Sequence, residues 1–270
     1  MHPGRPRLEG KVAVVTGAGS SGPGIGTGRA TSVLFARAGA KVVLVDRVAS
    51  RAEETLATIR DEGGEGAVCE ADVTGARDCE RMVAMATERY GRLDILVNNV
   101  GMLSFGSALD VTEEEWDQVF NVNLKSMMLT SKFAIPQMIR GGGGSIINIS
   151  SIAALRAATG KAIIPYAASK GGVIALTTEM AVYHGRDNIR VNCIVPGHIY
   201  TPLVAGGTTE EMRELRKRAA PLGTEGTAWD IAWAAVYLAS DEARWITAVM
   251  LPVDGGVLAT TPLAMLHHLR

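Results

Sequence analysis

Short runs of β-branched and aliphatic residues alternate along the chain with longer stretches in which apolar residues return every three or four positions. The first pattern suits strands buried on both faces and the second suits helices with one apolar side, so the chain reads as repeated βα units around a parallel sheet. Strands are expected at 12–15, 41–45, 67–71, 93–97, 145–149, 189–195 and 249–253. Between the first two, Ala30, Val33, Leu34 and Ala38 share a helical face, and Gly39 stands where a left-handed residue closes a helix. Ala52, Leu56 and Ile59 form a second stripe, and Met82, Val83, Ala86 and Tyr90 a third. Thr112 and Glu115 read as a capping box opening a long helix whose buried side holds Trp116, Val119, Phe120 and Leu124. Further helices are expected from near Tyr166 and over 229–239. Pro252 has no N–H to give to a ladder, which places the last strand at a sheet edge.

The pattern predicts an α/β fold, a Rossmann-type doubly wound parallel sheet of about seven strands with helices on both faces. Residues 11–256 are expected to form a single domain, with 1–10 a flexible amino-terminal segment. Within the domain, 203–226 carries mixed signals and is expected to be a substrate lid. The tail 257–270, with Leu258, Leu263, Met265 and Leu266, is expected at a subunit boundary of a homo-oligomer.

Charge narrows the partners: 27 basic residues nearly cancel 28 acidic ones and no basic block occurs, so neither nucleic acid nor a membrane surface is expected. The first ten residues lack the apolar core of a signal peptide and no later run is long enough to span a bilayer, so the expectation is a soluble, cytoplasmic protein. Cys69, Cys79 and Cys193 are odd in number with no CxxC pair, which suggests inert buried thiols rather than disulfides or a metal site.

Two regions carry candidate chemistry. The first strand runs into a loop from Thr16 and Gly17 through Gly19, Gly22, Gly24, Ile25 and Gly26 to Gly28, then into a helix. Such glycines let backbone approach a pyrophosphate at a helix N-terminus. Asp46 ends the second strand, where a carboxylate can accept from the ribose hydroxyls of NAD and would repel the 2′-phosphate of NADP. Asp72 and Val73 end the third strand at the same sheet edge. In the second region, Tyr166 and Lys170 lie one helical turn apart, so the cation can favour a phenolate whose ordinary pKa is near 10.

In order along the chain stand the glycine loop, Asn98-Asn99-Val100-Gly101, Asn121-Val122-Asn123, Ser150-Ser151, Tyr166-Ala167-Ala168-Ser169-Lys170 and Pro196-Gly197. This set resembles the short-chain dehydrogenase/reductase family over 11–256. The resemblance implies that Tyr166 is a general acid/base, that Lys170 lowers its pKa and binds nicotinamide ribose, that Ser151 holds the substrate oxygen and that Asn123 holds a water of a proton relay. It also implies dinucleotide contacts for Gly17, Gly24, Ile25, Gly26, Asp72, Val73 and Asn99, and nicotinamide contacts for Pro196, Gly197, Ile199 and Thr201. The cofactor expected is NAD, the substrate a small alcohol or ketone, and the assembly a tetramer.

Four departures are visible, one being two extra residues between Ser151 and Tyr166, which leaves Ser150 a second candidate for the serine role. The loop is about five residues longer than the family's pattern, so either Gly24-Ile25-Gly26 or Gly26-Thr27-Gly28 can supply its GxG. Val100 stands in place of an alanine, and Ala248 in place of a frequent glycine. A 3-oxoacyl carrier reductase, a sugar-nucleotide epimerase and a non-catalytic dinucleotide sensor are the competing readings; the epimerase needs a substrate domain for which the chain has no room, and the sensor has no need of a full catalytic set.

Overall fold

In a computed structural model, which describes residues 6–157, 160–261 and 263–269, the strands are β1 (Val12–Thr16), β2 (Lys41–Asp46), β3 (Gly66–Glu70), β4 (Ile95–Asn98), β5 (Gly144–Ile149), β6 (Ile189–Pro196) and β7 (Met250–Val253). All seven are parallel and lie in one sheet in the order β3-β2-β1-β4-β5-β6-β7. The order reverses between β1 and β4, and at such a switch point the flanking loops part to leave a crevice at the carboxyl ends of the strands. Pro252 does sit on an edge strand, since β7 pairs only with β6.

The helices are α1 (Thr27–Arg37), α2 (Ala49–Asp61), α3 (Ala76–Tyr90), α4 (Glu113–Phe120), α5 (Ser126–Arg140), α6 (Ile164–His184), α7 (Pro202–Ala205), α8 (Glu210–Ala219), α9 (Ala228–Ala239) and α10 (Leu266–Leu269). Because side chains alternate along a strand, β1 sends Ala13 and Val15 to one face and Val12 and Val14 to the other. The first face is covered by α1, α2 and α9 through Val33, Leu56 and Ile231. The second is covered by α3, α5 and α6 through Met82, Met138 and Ala181. None of these helices is long and apolar enough to cross a membrane.

Two expectations need correction. The helix opened by the Thr112 capping box is interrupted by a π-helical turn at Asn121–Lys125. Of its four expected core residues only Val119 is fully covered, while Trp116, 38% exposed, stacks on Phe120 with ring centroids 4.6 Å apart. An apolar stripe shows that a surface needs cover without naming what covers it.

Residues 6–10 are not a loose end: Leu8 is completely buried, its amide donates to the Ala38 carbonyl at 2.8 Å, and Arg7 pairs with Glu242. Residues 1–5 of that expected flexible segment lie outside the described residues. In the tail, Met265 is buried, Leu258 packs on the cluster of Val173, Cys193 and Val195, and α10 lies against α8. Of Leu258, Leu263, Met265 and Leu266, only Leu263 and Leu266 are exposed, so the chain itself covers half of that set.

Candidate active site

The glycine loop joins β1 to α1 at the switch point. Gly17 has φ +63°, a left-handed conformation. The crowding is greatest at Gly28, where a Cβ would sit 1.9 Å from the Gly17 carbonyl oxygen and 2.6 Å from Asn99 Nδ2. Gly28 is therefore the position at which helix and strand touch, which fits Gly26-Thr27-Gly28 as the closing GxG. Spacing alone had left that choice open and Gly28 outside the candidate set. Gly26 is the N-cap of α1, whose first turn has neither an acidic residue nor a side-chain cap. Exposed Gly24 instead faces the start of α7, a Cβ there lying 3.7 Å from Pro202 Cγ. Ile25 packs on the first core cluster, as does Ile199.

Asp46 lies beside this loop, accepting from the Gly19 amide at 3.1 Å and the Val48 amide at 3.0 Å. Its carboxylate is thus oriented before any ligand arrives. Asn99 donates from Nδ2 to the carbonyls of Thr16 and Gly17, and its amide donates to Thr16 Oγ1, so Thr16, which motif spacing did not single out, ties the two strands of the crevice together. Farther along the edge, exposed Asp72 accepts from the amide and hydroxyl of Thr74, and Val73 is buried in the second cluster. These features fit a dinucleotide: a helix end without its own anion, a backbone bare of side chains at Gly17 and Gly28, and a fixed carboxylate one strand away.

The second group forms where β5 and α6 meet. Ser151 Oγ accepts from the Ala153 amide at 3.1 Å, and its hydroxyl is near enough to the half-buried Tyr166 phenol to favour the phenolate. Lys170 is 3% exposed, donates to the Ile149 carbonyl at 2.8 Å and lies 5.8 Å from the centroid of the Tyr166 ring. Burial pushes its pKa down to about 8. Burial raises the pKa of Tyr166, opposed in part by the Ser151 hydroxyl. The Lys170 cation, engaged with a carbonyl and itself desolvated, does not overcome that cost.

Asn123 lies within the π-helical turn, fully buried, a common setting for functional bulges. Its Oδ1 accepts from the Met102 amide, and its Nδ2 donates to the Met102 carbonyl and to Ser169 Oγ. The side chain is thereby committed as a brace, and Ser169, another residue that spacing did not single out, passes the tie on to the Tyr166 carbonyl at 2.8 Å. A Cβ on Gly101 would lie 3.2 Å from Lys170 Nζ and 3.6 Å from Asn123 Oδ1, which keeps that position small.

After β6, Pro196 is buried and the Gly197 amide donates to the Val253 carbonyl. A Cβ on Gly197 would lie 2.5 Å from Asp254 Cα. Buried Thr201 offers its carbonyl to the amides of Val204 and Ala205 and starts α7. Beyond it, Arg213 on α8 binds Glu225 through two nitrogens at 2.9 and 2.6 Å and lies 4.0 Å from the centroid of Tyr200. Arg213 is held more strongly protonated than an ordinary arginine by that carboxylate. All three cysteines are buried, and burial pushes Cys79 and Cys193 up to about 11.

A doubly wound seven-stranded sheet whose switch point faces a Ser–Tyr–Lys group defines a dinucleotide oxidoreductase fold. Residues 22–258 match the family profile described as Enoyl-(Acyl carrier protein) reductase. A 3-oxoacyl-(acyl-carrier-protein) reductase of Thermotoga maritima is 36% identical over 252 residues, covering 93% of this chain and 99% of that one. A 2,5-dichloro-2,5-cyclohexadiene-1,4-diol dehydrogenase of Sphingobium indicum is 38% identical, covering 93% and 97%. Among solved structures, a 7α-hydroxysteroid dehydrogenase complexed with NADH and 7-oxo glycochenodeoxycholic acid superposes with TM-score 0.88 at 33% identity, covering 95% of this chain and 97% of that one. The chain belongs to the short-chain dehydrogenase/reductase family and is an oxidoreductase of that type.

Proposed function

We propose that this oxidoreductase moves a hydride between NAD(H) and a carbon bearing a secondary hydroxyl or a ketone. The observation that carries the reading is the meeting of Ser151, Tyr166 and buried Lys170 at the mouth of the crevice. When bound, the nicotinamide supplies or accepts the hydride. Ser151 orients the substrate oxygen, and Tyr166 gives its proton to that oxygen in reduction or removes it in oxidation. Lys170 binds the ribose and places positive charge near the phenol, and Asn123 keeps Met102 and Ser169 in register beneath them.

Gly17, Ile25, Gly26 and Gly28 would carry the pyrophosphate, Asp46 the adenosine ribose, Asp72 and Val73 the adenine, and Pro196, Gly197, Ile199 and Thr201 the carboxamide. The segment 203–226 would cover the substrate, which Met102, Leu155, Tyr200 and Val204 favour as apolar and uncharged. The solved 7α-hydroxysteroid dehydrogenase is complexed with NADH, in keeping with NAD as the cofactor. Reduction of a 3-oxoacyl group is the second reading, since one relative carries that name.

The deciding experiment follows nicotinamide absorbance with a panel of secondary alcohols, diols and 3-oxoacyl thioesters, for the wild type and for Tyr166→Phe. The variant should keep NADH affinity and lose turnover; near-normal rates would refute the reading. Titrating NAD and NADP tests the Asp46 argument, which fails if NADP binds as tightly.

A further inference from the structure

A row of buried polar side chains crosses the sheet directly beneath these residues. Thr130 Oγ1 on α5 donates to Asn98 Oδ1 at 2.6 Å, and Asn98 Nδ2 donates to Asn148 Oδ1 at 2.8 Å. Asn148 Nδ2 then donates to Thr177 Oγ1 on α6 at 2.9 Å, and Thr177 Oγ1 donates to the Val173 carbonyl at 2.8 Å. None of the four side-chain members is more than 2% exposed. Asn98 and Asn148 are direct partners in the β4–β5 register, so their side chains leave the sheet on the same face. The bonds all run in one direction. Turning Asn98 alone would set acceptor against acceptor, and turning Asn148 alone donor against donor, so the two amides are fixed relative to each other.

Apolar residues of similar size would fill this space without the cost of desolvating two amides and two hydroxyls. What the row adds is position. Asn98 immediately precedes Asn99, Asn148 lies three residues before Ser151, and Thr177 lies seven residues, two turns, beyond Lys170 on the same side of α6. Ser150 Oγ donates to the Lys170 carbonyl at 2.8 Å and adds a further tie between the end of β5 and this helix. Rotation of α6 about its axis would break the Thr177 bond along with the ties that Ser169 and Lys170 make.

We propose that Asn148 and Thr177 are positioning residues: they fix the rotation of α6 against β5, and so bring the Tyr166 phenol to Ser151. The inference rests on the proposed role of Tyr166 as acid/base.

The test compares Thr177→Val, Thr177→Ser and the triple replacement Asn98→Val, Asn148→Val, Thr177→Val with Tyr166→Phe, measuring kcat, KM, NADH affinity by fluorescence, and thermal melting. Thr177→Val should lower kcat on the order of 100-fold, the cost of a misplacement near 1 Å, with KM and NADH affinity held within about threefold. Thr177→Ser keeps the hydroxyl and should restore kcat to within about threefold. The triple variant should melt no earlier than the wild type yet share the loss of kcat; if it does not fold, the comparison of valine with serine at 177 decides. Thr177→Val with unimpaired kcat overturns the proposal, as does a fall in kcat matched by equal losses in NADH affinity and melting temperature. An active Tyr166→Phe would instead overturn the catalytic reading on which the inference rests, and an inactive one beside an unimpaired Thr177→Val overturns positioning alone.

Discussion

Lys170 is held in the folded chain at a cost. Its pKa falls from 10.5 to about 8 because burial removes water from the ammonium, and one carbonyl replaces only part of that hydration. Between those values the unfolded chain keeps a proton that the folded chain has released, so this group makes stability rise with pH from about 8 to about 10 and costs most below that window. Lys170→Met should therefore stabilise the protein at pH 7 by about 2 kcal/mol, the shift less one lost hydrogen bond, while removing turnover. Denaturant melts at pH 7 and pH 10 check both the sign and the window, and a destabilised variant at pH 7 contradicts the argument. Ala248 is a second strained residue: its φ of +60° is left-handed, which explains why glycine is frequent there in the family. Ala248→Gly should raise stability by about 1 kcal/mol, measured as an upward shift of the melting temperature, with activity unchanged.

Elements show where pattern ends and packing begins. The strands lie within two residues of where hydrophobic runs placed them, and Thr112 forms its capping box, because these features depend on neighbours in the sequence. The Tyr166 and Lys170 pair was legible for the same reason, being one turn of one helix. The π-helical turn around Asn123 was not legible, since its brace to Met102 and Ser169 joins three separate segments. Nor was the role of Gly28, which depends on the carbonyl of Gly17, 11 residues earlier in the loop, passing within contact distance. The segment after β6 depends in the same way on a distant pair, Arg213 with Glu225, which joins α8 to the loop before α9 and stacks on Tyr200. If this segment covers the substrate, Arg213→Ala should raise KM about tenfold with NADH affinity preserved. Arg213→Lys should rescue little, because lysine lacks the planar fork. Steady-state kinetics on the two variants decide this, and an unchanged KM for alanine rules the cover out.

At the scale of the whole molecule, exposed apolar surface remains on the α4–α6 flank. Phe120, Leu124, Met128 and Leu176 line an 820 Å³ groove there, and buried Asn121 Oδ1 has no hydrogen-bond partner among the described residues. Along the β7 edge Met250 is exposed, and at the far end of β7's preceding turn Trp245 is 91% exposed. A homo-oligomer, which the family resemblance leads one to expect as a tetramer, would cover both surfaces with copies of the same chain. Light scattering at micromolar concentration should give a mass of several chains for the full sequence, and for a version ending at Gly256 as well, because Met265 and Leu258 already pack within their own subunit. A monomer in the first case defeats the proposal, and dissociation only in the second gives the tail a larger share than its packing suggests.

The anchored amino end has a practical consequence. Leu8 is plugged beside Ala38, where α1 ends and β1 has yet to begin, and Arg7 and Lys11 pair with Glu242 and Asp241 at the far end of α9. That corner is the edge of the sheet opposite the crevice. The carboxyl end packs instead on α8, the helix that Arg213 links to Tyr200. Tethered to a solid support through its amino end, the enzyme would present its crevice outward to the flowing solution; tethered through its carboxyl end, it would hang by the element proposed to open for substrate.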